Sequence, residues 1–517
     1  MHRVFARVAV VVMMGSTACG GGDAISGDAG FAARVPMTLA EAKDPETCKT
    51  CHKNHYREWA SSMHAYASID PVFVAMNQRG QRETNGALSD FCLKCHAPMA
   101  VMDGKIHNAA DSLTDLPPAY QGVTCYTCHN TESVEGDHNA LLHLTNDVTM
   151  RGPIKDPKHP RVHGVAYSPY LDDMMPQSNQ MCGGCHDIVT PKPNSVHIER
   201  TFEEYKSSIY TPGPDHSGAQ SCAGCHMDER AGEPAADDAA SHVGTRPVHT
   251  HLWPGVDMAL TDDFPDRDIQ RLAIECMLER GTQTVPVQPN SDGMHASPGV
   301  FQFNIETQAG HRQPSGAAQD RRLWLELLAY DSTGRQLKES TGVIAEGELE
   351  EKPTDDPKYD PHLWLFRDRM FDAAGQPTHS FWAAAPSDAY PEGYKTPGET
   401  LPVQTTPNLD VHHYASRTFK LALPGDQPGR TARIVAHLRM RPIGMDVLQD
   451  LVASNDLDPS VLAKVRTFTL ATTEIKWKLE DGSAPVAPLA DSLSCPNSYL
   501  CMLQPDSVYC HRLDDAP

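Results

Sequence analysis

Five copies of Cys-x-x-Cys-His fall between residues 48 and 226 of this 517-residue chain. They are CKTCH (Cys48, Cys51, His52), CLKCH (Cys92, Cys95, His96), CYTCH (Cys125, Cys128, His129), CGGCH (Cys182, Cys185, His186) and CAGCH (Cys222, Cys225, His226). Two thiols at this spacing can add to the two vinyl groups of one porphyrin, and the histidine that follows reaches the iron from the same side. A zinc ribbon needs two CxxC pairs per metal, whereas this chain has an odd number of pairs and a histidine after every one. Redox-active CxxC disulfides need no such histidine. The repeat therefore reads as five attachment sites for haem c. At roughly 36 residues per motif, the segment cannot bury itself with side chains alone. The porphyrins are expected to form its core, wrapped by short helices and by links rich in proline and glycine.

Of the 15 cysteines, ten belong to the motifs. Cys276, Cys495, Cys501 and Cys510 are an even remainder in an exported chain, so structural disulfides are the default for them. His511 directly follows Cys510, which leaves a haem site with a long insertion after Cys501 as a less economical alternative. The last spare cysteine, Cys19, ends the stretch MHRVFARVAVVVMMGSTAC. Arg3 and Arg7 precede an apolar run from Val8 to Met14 that is too short for a permanent span, and small residues follow it. This is an export signal that resembles a bacterial lipoprotein signal, with Cys19 as the lipidated residue and Ser16 where leucine is usual. Export agrees with haem c, which bacteria attach outside the cytoplasm. No second apolar run is long enough to cross a bilayer, so membrane association is expected only through a lipid on Cys19.

The expected organisation is a signal over 1–19, a flexible tether over 20–44, a pentahaem domain over 45–230, a linker over 231–244, a β domain over 245–490 and a cysteine-containing tail over 491–517. The fold class is thus multidomain: a haem-packed, mostly α and irregular domain followed by a mainly β, sandwich-like one. The alternating segments VFQFNIETQ, RLWLELLAYD, RTFKLALP, ARIVAHLRMR and FTLATTEIKWKL carry the second part, with MDVLQDLVAS as a short helix. The formal net charge of −23 argues against nucleic acid as a partner and favours redox proteins that dock through basic patches.

The chain resembles the multihaem cytochromes c related to the tetrahaem cytochrome that accepts electrons from hydroxylamine oxidation. The resemblance rests on CHKNHYREWASSMHA, GVTCYTCHN and the run from CGGCHDIVTPKPNSVHIERTFEEYKSSIY to CAGCHM. The second half is similar to a β domain fused to such cytochromes, through HTHLWPGVDMAL and AGHRQPSG. The resemblance implies an exported electron-transfer protein whose haems mostly carry two histidines. Every motif here ends in histidine, unlike the pentahaem nitrite reductases, where a lysine serves the catalytic haem.

Candidate sixth ligands lie outside the motifs. His64, in WASSMHA, follows His52 by 12 residues, about 18 Å along a continuous helix, while two axial nitrogens of one haem stand only roughly 4 Å apart. It should therefore serve a neighbouring haem, and His55 is too local to cross its own. His163 precedes the fourth motif, either His249 or His251 follows the fifth, and His311 sits in a loop of the β domain. His107, His138, His143 and His197 lie between motifs, and His412 and His413 lie far downstream. The ligand count decides function. Five irons with two histidines each make an electron carrier; one open iron makes a reductase or oxidase of a small nitrogen or sulfur compound. A surface scaffold with incidental haems is the least economical reading.

Overall fold

The computed structural model describes residues 36–106, 113–155, 163–213, 219–233, 235–236, 245–287, 300–338, 340–343, 360, 362–389, 391–392, 400–405, 414–420, 428–476, 499–504 and 507–512. The export-like segment with Cys19, most of the tether, Cys495, His107, His412 and His413 lie outside them. From Pro36 onward the chain forms one compact unit.

The motif-bearing half is built from short pieces. Helix α1 (Lys53–Ala60) stops where the Ser61 and Ser62 hydroxyls turn back onto main-chain carbonyls, and a separate turn, Met63–Tyr66, follows. His52 and His64 therefore do not share one helix. Helix α2 (Pro71–Glu83) starts at Asp70, whose carboxylate accepts from the Val72 and Phe73 N–H groups, with Pro71 in the first turn. Two-stranded ladders complete this half. One of them pairs Glu229–Glu233 with Arg246–His249, so residues 231–233, the start of the stretch expected as a linker, lie in a strand.

Helix α3 (Arg267–Gly281) opens the C-terminal half. Strands β1 (Thr282–Val287), β2 (Val300–Thr307) and β5 (Tyr414–Lys420) form one antiparallel sheet in the order β5-β2-β1, where β3 is Arg322–Tyr330 and β4 is Trp364–Phe366. Strands β6 (Arg433–Arg441) and β7 (Phe468–Lys476) join β4 and β3 in a four-stranded sheet ordered β4-β3-β6-β7. Phe303 and Ile305 of the first sheet share a core with Leu323, Leu325, Leu327, Ile434, Leu438 and Phe468 of the second and with Ile274 of α3. Strand β3 is buried on both faces, which its alternating sequence does not announce. Cys276 on α3 is buried and disulfide-bonded. At the end of the chain, strands Tyr499–Gln504 and Ser507–Arg512 pair with Cys501 opposite Cys510.

The halves are joined by packing. Ala75, Val72 and Met76 of α2 lie against Leu448 and Leu451 of helix α4 (Met445–Ala453), with Leu457 and Val461 beyond. Arg79 pairs with Asp450 at 2.6 Å, and Arg57 with Asp266 at 2.7 Å. Among the described residues, no helix is long and apolar enough to cross a membrane.

Candidate haem-binding sites

Each CxxCH motif forms about one helical turn. His52, His96 and His186 donate their N–H to the carbonyls of Cys48, Cys92 and Cys182, and Cys125–His129 and Cys222–His226 are themselves short helices. Residues i, i+3 and i+4 of such a turn share a face, so both sulfurs and the imidazole point to one side. The ten motif thiols are free cysteines. Gly183 in CGGCH is dictated by packing, because a Cβ there would stand 2.3 Å from the Phe202 ring.

Four of the motif histidines are held in one tautomer. Their Nδ1 atoms face main-chain carbonyls: His52 that of Ala235 at 2.6 Å, His96 that of Ala67 at 2.8 Å, His129 that of Arg151 at 2.7 Å and His226 that of Pro254 at 2.8 Å. A carbonyl only accepts, so Nδ1 carries the proton and the Nε2 lone pair is left for a metal. Burial lowers the pKa of the motif histidines His96, to about 4, His129, His186 and His226, and that of His64 outside the motifs to about 3, which keeps these rings neutral.

Four imidazole pairs stand at a common separation. Ring centroids are 6.5 Å apart for His52 and His163, 6.2 Å for His64 and His186, 6.4 Å for His129 and His251, and 6.3 Å for His226 and His311. With metal–nitrogen bonds of about 2 Å and each centroid about 1.1 Å behind its nitrogen, two imidazoles on opposite sides of one iron stand about 6.3 Å apart. The residues thus fit a porphyrin iron between each pair. The ring planes differ, at 71° for His64 and His186 but 13° and 14° for the pairs ending in His251 and His311.

His96 stands apart. Phe73 lies flat against its ring, with centroids 3.7 Å apart and planes within 4°, and among the described residues no imidazole stands opposite it. Of the two candidates after the fifth motif, His251 rather than His249 faces a motif imidazole. The His249 Nδ1 bonds the Met227 carbonyl at 2.7 Å and its Nε2 points toward Asp173, 3.5 Å away, while His251 faces His129. His55 sits 6.1 Å from His52 and packs edge-on against His251 at 4.7 Å; lying on the next turn, it runs alongside His52 rather than across from it. His138, His143 and His197 face the carboxylates of Asp137, Glu132 and Asp187.

The facing imidazoles are positioned by residues that motif reading did not single out. The His251 N–H donates to Glu58 Oε2 at 2.9 Å, and Glu58 forms a fully buried ion pair with Arg230 at 2.6 Å. Around His311, the N–H of Arg312 and the hydroxyl of Ser315 donate to Glu204 Oε2, and burial pushes the Glu204 pKa up to about 7. Gly122 lets the bend at 121–123 approach the His64 carbonyl, which accepts from the Val123 N–H at 2.8 Å: its φ is +63°, and a Cβ there would stand 2.3 Å from that oxygen. Both glutamates lie in the motif-bearing half and grip loops that follow it. A buried acid near a His-containing loop was the available signal, but the sequence does not say which acids are buried.

The motifs are also close to one another. The thiols of Cys48 and Cys125 lie close enough to perturb each other's ionisation, as do those of Cys182 and Cys222 and those of Cys95 and Cys185. Cys128 lies near enough to Cys182 and Cys185 for their charges to raise its pKa, in addition to the larger effect of burial.

Comparison with known proteins agrees with this geometry. The family model for cytochrome c554 and c-prime matches residues 47–130. No curated protein matches the chain. Among solved structures, the chain is similar to a penta-heme cytochrome c552 from Thermochromatium tepidum, with a TM-score of 0.54 and 20% identity over 85% of this chain and 100% of that one. With five motif turns of this form, a matching family segment and a shared fold, the chain resembles the multihaem c-type cytochromes.

Proposed function

We propose that the chain binds five haem c groups and carries electrons between redox partner proteins outside the cytoplasm. The carrying observation is the set of four imidazole pairs at 6.2–6.5 Å, each containing one motif histidine. In this reading the sixth ligands are His163, His64, His251 and His311. Each haem, when bound, supplies a one-electron iron couple. The protein's part is to orient neutral imidazoles, exclude water and hold successive motifs close. The thiol contacts support an order of first, third, fourth and fifth motif, with the second joined at the fourth. Acidic composition supports partners with basic docking patches, and Cys19 is the expected lipid anchor. The two C-terminal sheets act as a sandwich-like cap that supplies the His311 ligand.

The test is low-temperature EPR of the purified ferric protein. Near-perpendicular axial imidazoles give a low-spin signal with a large maximal g value, and near-parallel ones give a rhombic signal. One site of the first kind, for His64 and His186, and at least two of the second are expected. A spectrum without four low-spin sites overturns the ligand assignment.

A second reading rests on His96, which has Phe73 against it and no facing imidazole among the described residues. An iron held there would keep a position open, which supports a reductase or oxidase of a small nitrogen or sulfur compound at the second motif. A high-spin component that binds carbon monoxide after reduction is expected in that case; a wholly low-spin protein inert to carbon monoxide rules it out.

A further inference from the structure

The four residues His251–Pro254 touch three of the candidate sites. His251 faces His129. The Pro254 carbonyl accepts from His226 Nδ1 at 2.8 Å. Between them, the Trp253 indole meets two imidazoles edge to face: His64 at 4.6 Å and 79°, and His251 at 5.1 Å and 75°. These imidazoles face different motif histidines, His186 and His129. The Trp253 backbone has a φ of +42°, a left-handed conformation that a bulky residue adopts only when its surroundings impose it. That conformation places the indole between the two rings instead of continuing along the chain after His251.

We propose that Trp253 is a shared positioning residue that fixes the ring planes of His64 and His251 and so ties the third and fourth haem sites together. The proposal rests on the ligand assignment above. The physical basis is the aromatic quadrupole: an edge-to-face contact favours one mutual orientation of two rings, and a single indole making two such contacts constrains both. Rotation of the His64 plane away from its 71° relation to His186 is then resisted by the indole that also meets His251. His226 does not depend on the indole, because its support is the Pro254 carbonyl.

The experiment compares wild type, Trp253→Leu and Trp253→Phe as full-length holoproteins by ferric EPR and by spectroelectrochemical titration. In Trp253→Leu, two low-spin signals are expected to shift together: the large-g signal of the His64 site and one of the near-parallel signals. The two remaining low-spin signals should stay within wild-type line width. Phenylalanine keeps a ring edge and should move the same two signals by a smaller amount. If the leucine variant yields no holoprotein, the phenylalanine variant decides by the same criterion. Unchanged signals, a change at one site alone, or an equal change at all four overturns the proposal. If wild type itself lacks four low-spin signals, the ligand assignment has failed and the proposal falls with it, a result distinct from a variant that leaves four normal signals in place.

Discussion

In the C-terminal sheets, Leu323, Leu325, Ile434 and Leu438 are fully buried against Phe303 and Ile305. In the motif-bearing half, Ser61, Ser62, Ser68, Thr124, Thr127, Asn130 and Thr131 are fully or nearly fully buried, and the apolar clusters are small. The first region removes apolar surface from water and can draw its stability from that. The second spends its buried positions on hydroxyls and amides that satisfy irregular backbone, as Asn130 does for the carbonyls of Asp147 and Thr149. A chain built in this second way needs another source of apolar mass, and five porphyrins would provide it. In the proposed reading, one chain holds a core of its own at one end and draws on cofactors at the other.

Four measurements would break or sharpen that contrast. The largest effect is expected when the chain is produced without haem attachment. Amide exchange should then lose protection over Cys125–His129 while the β3 and β6 amides stay protected; loss of protection in both regions together would erase the distinction. Next, Glu58→Gln leaves Arg230 facing a neutral amide in a buried site and weakens the grip on the His251 backbone. It should cost about 3–5 kcal/mol in denaturant unfolding and alter the signal of the His129–His251 site. A stability loss with an unchanged signal would assign Glu58 to folding alone. Third, Leu438→Ala in the sheet core should cost about 2–5 kcal/mol while leaving every haem signal in place. Altered haem spectra would show that the two regions are not energetically separate.

The smallest effect concerns pH. Burial raises the Asp70 pKa to about 6, against the two N–H groups that favour its charge. The folded carboxyl therefore holds its proton more tightly than the unfolded one. Its contribution to stability is complete below the unfolded value of 3.8 and is lost as pH rises through about 6. The slope from this group is at most about 1.4 kcal/mol per pH unit. Asp70→Asn keeps an acceptor at the start of α2 and should flatten the slope in that window; an unchanged pH profile would remove Asp70 from the account.

Much of this was legible in the residues. The strand segments VFQFNIETQ, RLWLELLAYD and ARIVAHLRMR appear as β2, β3 and β6 within a residue or so, because alternation and turn residues act locally. Helix α3 was not anticipated, although Ile269, Leu272, Ala273 and Cys276 follow a helical spacing. Its polar residues are interspersed, and Asp266 before it is left-handed without a side-chain cap, so the usual start signal is absent. His249 and His251 are sequence neighbours of equal promise. Only the Met227 carbonyl and Asp173, brought in from elsewhere, separate them.

The sequence by itself determined the attachment chemistry. A CxxCH turn closes within five residues, so its geometry needs nothing distant. Tertiary structure alone decided which imidazole faces which: His64 reaches past two motifs to His186, His311 comes from the C-terminal half to His226, and Trp253 stands between two sites. These are contacts between residues far apart in the chain. They depend on loop closure and on the burial of Glu58, Arg230 and Glu204, which no local pattern specifies.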